Sequence, residues 1–94
     1  MAKRKIYPST QNHQISDKDD IKTAEVGDYC YFLDGASRIS WGVIEKIINE
    51  RGILGFNIIC QVEFRHYTIP SEYCSFNKKY LKGKKRHQFG VSFA

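Results

Sequence analysis

Between Phe56 and Phe64 apolar and polar side chains alternate almost without fault. Phe56, Ile58, Cys60, Val62 and Phe64 fall on one side, Asn57, Gln61 and Glu63 fall on the other, and only Ile59 breaks the order. A period of two belongs to a strand, whose successive side chains point to opposite faces. One half-buried strand cannot satisfy its own backbone, so a chain carrying it must build a sheet. The pattern predicts that Ile58, Cys60 and Val62 share a single core with Phe32 and Ile44, while Gln61 and Glu63 face solvent.

The neighbouring strands are legible on both sides. Val26-Gly27-Asp28 supplies a turn before Tyr29-Cys30-Tyr31-Phe32-Leu33, whose aromatics suit a strand. Asp34 to Arg38 is a second turn, and Ile39 to Ile48 follows with β-branched residues at Ile39, Val43, Ile44, Ile47 and Ile48. Ile44, Ile47 and Ile48 also sit at helical spacing, with Gly52 as a C-terminal cap, so a helix is the rival. Gly42 and the β-branched residues favour the strand. Asn49-Glu50-Arg51-Gly52 then predicts a hairpin with a loop longer than the tightest kind. After a reversal at Arg65-His66, Tyr67-Thr68-Ile69 makes another strand, ended by Pro70, and Ser71 to Cys74 reads as one helical turn capped by Ser71.

These elements divide the chain into a polar, mobile N-terminal lead at 1–25 with at most one helical turn, capped by Ser16, a β-rich body at 26–76, and a basic segment at 77–94. Phe89, Val91 and Phe93 alternate like a final strand, which would make the basic run a loop and not a free tail. Ninety-four residues with 41% hydrophobic side chains suffice for one core without a metal or disulfide. Cys30, Cys60 and Cys74 form no close pair, which argues for reduced apolar fillers and against a disulfide framework or zinc knuckle. His13, His66 and His87 have no partner at metal-ligand spacing, so no metal or other cofactor is expected. No apolar run reaches membrane-spanning length and no secretory apolar stretch follows Met1 to Lys5, which predicts a cytoplasmic protein.

Val26-Gly27-Asp28 opening an aromatic strand, Gly42-Val43-Ile44-Glu45-Lys46-Ile47, and Tyr67-Thr68-Ile69-Pro70 before a short turn follow one another at short spacings. In that order, over about residues 26–76, they resemble an SH3-like small barrel of the Tudor and KOW type. The resemblance implies about five short, bent antiparallel strands around one small core, with rim loops and nearby aromatics as the binding surface. Carried over by position, Tyr29, Tyr31, Trp41 and Tyr67 are the partner-binding candidates. A full aromatic cage with its neighbouring acid has no counterpart here, so recognition of methylated side chains is not implied.

Charge is segregated along the chain. Nine of the fifteen basic residues lie in two arms without an acid, Lys3 to Lys5 and Lys78 to Arg86, whereas six basic residues face all ten acids between Ile6 and Asn77, a net −4. Lys78, Lys79, Lys82, Lys84, Lys85 and Arg86 with the interleaved Tyr80 would attract phosphates and offer a ring for a base to stack on. The plainer reading is a solvated tail that keeps the protein soluble. Tyr29 and Tyr31, alternating with Cys30 and Phe32, stand outside if Cys30, Phe32 and Val26 are inside, and would then form a recognition face. Ordinary packing beneath the N-terminal lead is the alternative there.

No nucleophile with a base and no carboxylate pair is recognisable, which points away from an enzyme. Toxin-like ribonucleases share such a barrel and a Gly-Asp start, with Arg38 and Ser40 as their conceivable participants, but fold analogy does not carry chemistry. Two functions are therefore expected. One is a non-enzymatic accessory module of a bacterial or viral system that contacts nucleic acid or another polyanion through the basic segment. The other is a protein-binding adaptor or virus-encoded inhibitor docking on a larger nucleic-acid-handling protein.

Overall fold

The computed structural model describes residues 15–86. They form one five-stranded antiparallel sheet: β1 (Tyr29–Leu33), β2 (Ile39–Glu50), β3 (Ile53–Cys60), β4 (His66–Pro70) and β5 (Cys74–Ser75). The strand order is β4-β3-β2-β1-β5, so the last strand returns to lie beside the first, and the sheet is not closed. Three short 3-10 turns accompany it, at Ile21–Thr23, Ser71–Tyr73 and Lys78–Tyr80, and no α-helix is present among the described residues. None of the helices there is long and apolar enough to cross a membrane.

β2 is a strand and not the rival helix: it pairs with β1 from Ile39 to Val43 and with β3 from Gly42 to Glu50. Its register slips between Ile44 and Lys46, a β-bulge at Glu45 that bends the strand where β1 gives out. Gly42 lies opposite Cys60. A Cβ there would stand 2.2 Å from the Ile59 carbonyl oxygen, so only glycine lets the two backbones approach this closely. Alternate residues of β1, β2 and β3 then bury one face, with Cys30, Phe32, Ile44, Phe56, Ile58 and Cys60 at its centre. Ile69, Tyr73 and Leu81 close the same core from β4 onward.

Several local expectations need correcting. The alternation of β3 stops at Cys60, because the backbone turns: the Phe64 N–H donates to the Cys60 carbonyl at 2.7 Å, the Cys60 N–H donates to the Arg65 carbonyl at 2.8 Å, and Phe64 adopts φ 58°. Val62 and Phe64 are consequently exposed (62% and 73%), not core, although Phe32, Ile44, Ile58 and Cys60 are buried as expected. Gln61 is half-buried, with its N–H donated to the Trp41 carbonyl, and Glu63 is exposed. The β2–β3 connection is the tightest kind after all. Glu50 pairs with Ile53, and the two residues between them, Arg51 and Gly52, both have positive φ, as a type I′ turn requires.

The turn caps also differ. Pro70, not Ser71, occupies the N-cap position of the second 3-10 turn, with no side-chain cap. Asp20, not Ser16, caps the turn at Ile21–Thr23, accepting from the Lys22 N–H, while the Ser16 hydroxyl accepts from the Lys18 N–H. Residues 15–25 make contacts with the start of the sheet. Ile15 bridges to Tyr29, Ala24 is buried, and Lys18 reaches both Glu25 (2.7 Å) and Asp28 (2.8 Å). Burial would raise the Asp28 carboxyl, but hydrogen bonds from Lys18 and from the Glu25 N–H outweigh it and hold the carboxyl below its usual range. Cys30 and Phe32 are buried but Val26 is 62% exposed. The arm at Lys3 to Lys5, His13, His87 and the expected C-terminal strand lie outside the described residues.

Candidate functional site

The basic segment leaves the sheet directly after β5. Asn77 sets its direction: its N–H donates to the Ser75 hydroxyl at 3.0 Å, and its side-chain oxygen accepts from the Lys79 N–H at 3.0 Å. Tyr80 and Leu81 then donate to the Asn77 and Lys78 carbonyls, closing the third 3-10 turn. Leu81 is 1% exposed and belongs to the core, whereas the adjacent Tyr80 is 63% exposed. One buried leucine thus fixes a short, otherwise fully polar stretch against the sheet. Its burial is worth about 2 kcal/mol, comparable with the ordering cost of one or two residues.

The second anchor comes at the end of the described segment. Arg86 donates from its N–H to the Ser37 hydroxyl (2.9 Å) and from Nη1 to the Leu33 carbonyl (3.3 Å), and its guanidinium lies 4.9 Å from the centroid of the Tyr73 ring. Lys84 donates from Nζ to the Glu72 carbonyl at 2.6 Å and stands 5.8 Å from the same ring. These two cations tie the segment down. Residues 78–86 are therefore held between Leu81 and the β1–β2 loop.

The seven residues expected at this site thus fall into two groups. Arg86, half-buried, and Lys84, exposed, contact the body of the protein, while Lys78, Lys79, Tyr80, Lys82 and Lys85 are exposed without such contacts to the sheet. The ion pairs among the described residues join Lys18 to Glu25 and Asp28 and Arg38 to Asp34, and a hydrogen bond links His66 to Glu45. No carboxylate among them neutralises a cation of this segment. Acids do stand nearby: Asp19, Asp20 and Glu72 border a shallow depression with Tyr80 and Lys84, and Asp17 borders another with Lys78. These acids oppose the approach of a polyanion from the two depressions.

The aromatic candidates separate as well. Tyr31 lies directly across from Trp41, and the rings of Tyr29 and Trp41 are 5.9 Å apart, so these three half-buried aromatics are neighbours on β1 and β2, with Tyr31 also packed against the core. Val43 and Ile59 pair next to them across β2 and β3. Tyr67 does not join them. It lies opposite Ile58 with its ring 5.4 Å from Phe32, on the core side, and its hydroxyl donates to Glu63, which raises its pKa. Arg38 pairs with Asp34, and the Ser40 hydroxyl meets the Cys60 thiol at 3.1 Å, so the two residues are engaged separately.

All three cysteines are free and buried. Burial pushes the Cys74 thiol well up, with Cys30 beside it adding to the effect. What sequence reasoning missed was anchoring. Leu81, the lone aliphatic residue in a basic run, was a signal available to find it; Arg86 and its partners some fifty residues away offered none. No family model matches the chain, and no curated protein or solved structure is detectably similar to it.

Proposed function

We propose that the chain is a non-enzymatic, SH3-like small-barrel module that contacts nucleic acid through residues 78–86. The fold half of this reading is supported by five antiparallel strands, a bulged β2, a single helical turn between β4 and β5, and a fifth strand beside the first. The observation that carries the function half is a segment that is held in place yet electrically unsatisfied. Lys78, Lys79, Lys82 and Lys85 are exposed on a backbone fixed by Leu81 and Arg86, and no described carboxylate pairs with them. Fixed cations lose less freedom on meeting phosphates than a free tail does, and each phosphate neutralised releases counterions.

The test is a binding titration by fluorescence anisotropy at low salt, comparing the parent with the variant Lys78→Gln, Lys79→Gln, Lys82→Gln, Lys85→Gln. The variant is expected to bind DNA or RNA at least about tenfold more weakly, since four phosphate contacts are removed. Equal binding would reject the reading.

A second reading, a protein-binding adaptor or inhibitor, has its own observation in the neighbouring, half-buried Tyr29, Tyr31 and Trp41 of β1 and β2. Rigid aromatics of this kind anchor protein interfaces. It predicts a stoichiometric protein partner that survives nuclease and moderate salt and is lost on Trp41→Ser; nucleic acid alone in the purified material favours the first reading.

A further inference from the structure

Cations alone read charge, and charge does not distinguish one strand from two as sharply as an aromatic ring can. Tyr80 is such a ring. It is 63% exposed although Leu81 beside it is buried in the core, so the backbone beneath the ring is fixed while the ring itself stands in solvent. Lys78 and Lys79 precede it, Lys82 and Lys85 follow it, and the Lys79 ammonium lies 5.4 Å from its centroid. A tyrosine has only two side-chain torsions to order, which keeps the entropy cost of stacking low.

We infer that the segment selects single-stranded over double-stranded nucleic acid, with one unpaired base stacked on Tyr80 and the flanking phosphates held by Lys78, Lys79, Lys82 and Lys85. This rests on the reading of residues 78–86 as a nucleic-acid contact. In a duplex both faces of every internal base are covered by its neighbours, so Tyr80 finds no free face without unstacking a step. A single strand presents such faces at every nucleotide. Because every base has a π-face, little base preference is expected, and selectivity lies in strandedness.

The experiment titrates the full chain into a labelled single strand of about 12 nucleotides, within the range small barrels occupy, and into the duplex of the same sequence. The parent should bind the single strand at least about tenfold more tightly. Tyr80→Leu should weaken single-strand binding by about 5- to 150-fold, the range measured for losing one stacked base, and leave duplex binding within about twofold. Tyr80→Phe, which keeps the ring, should stay within about twofold of the parent on both. Since Tyr80 is exposed, both variants should melt with the parent. Duplex bound as tightly as single strand, or Tyr80→Leu behaving like the parent or losing both ligands equally, overturns the inference while the nucleic-acid reading stands. Binding of neither ligand by the parent overturns both.

Discussion

Gly42→Ala is the smallest substitution with a large expected effect. Its added methyl would lie 2.2 Å from the Ile59 carbonyl oxygen, 2.7 Å from Ile58 Cγ2 and 2.8 Å from the Ile59 carbonyl carbon. Two of these three atoms are backbone of the paired strand, so moving the Ile58 side chain alone cannot relieve the clash, and β2 and β3 must part by about 1 Å at the Gly42–Cys60 pair. Overpacking of this kind costs about 1–3 kcal/mol, and each ladder hydrogen bond lengthened or lost adds about 1 kcal/mol. Against this stands about 0.5–1 kcal/mol gained because alanine has less freedom than glycine in the unfolded chain. The clash wins by about 2–3 kcal/mol, which for a domain of this size lowers Tm by about 10–20 °C. Thermal melts decide it. Gly35→Ala is the control, because nothing lies within 4 Å of a Cβ there and that variant should melt at or slightly above the parent. A Gly42→Ala protein melting within about 2 °C of the parent would refute the close approach of β2 and β3.

Four further outcomes follow from the same contacts. Val62→Asp should lie within about 0.5 kcal/mol of the parent because Val62 is exposed, whereas Ile58→Ala, at a fully buried position, should cost about 2–5 kcal/mol in urea unfolding. The three buried cysteines should react with a thiol reagent only after unfolding, and Cys74, with its pKa raised, should stay unreactive in the folded protein at mildly alkaline pH. The Asp28 carboxyl is held below its unfolded value, so its contribution to stability should be complete above about pH 5 and decline as acid takes the pH down through the folded value. Lys18→Met should flatten that acid limb. Asp19→Asn with Asp20→Asn, which keeps the asparagine-compatible cap, should tighten polyanion binding at low salt by removing two negative charges beside Tyr80, as an anisotropy titration would show.

The centres of the strands were legible because alternation and β-branching are local properties. Tyr29 to Leu33 reads as a strand and is one, and Ile39 onward is a strand because Gly42 has a close-packing purpose that no helix would give it. Strand ends were less legible. Gln61 to Phe64 turns without a glycine, proline, asparagine or aspartate, so its residues continue an alternation that its backbone has abandoned. Arg51-Gly52 looked like part of a longer loop because an arginine with positive φ carries no compositional mark. Of the candidate site, the cations and Tyr80 could be named from the sequence, but their division into anchors and exposed groups could not. Arg86 meets Leu33 and Ser37 across 53 and 49 residues, and only the fold brings them together.

The salt dependence of binding tests the nucleic-acid interface most directly, because it counts phosphates and is indifferent to modest changes in stability. For single-stranded nucleic acid the slope of log K against log[salt] is about −0.7 per phosphate neutralised, so the four exposed lysines contribute about −3. The parent should therefore show a slope at least that steep, and the variant with Lys78, Lys79, Lys82 and Lys85 all changed to Gln should be shallower by about 3. Parent and variant running parallel across the titration would contradict the account.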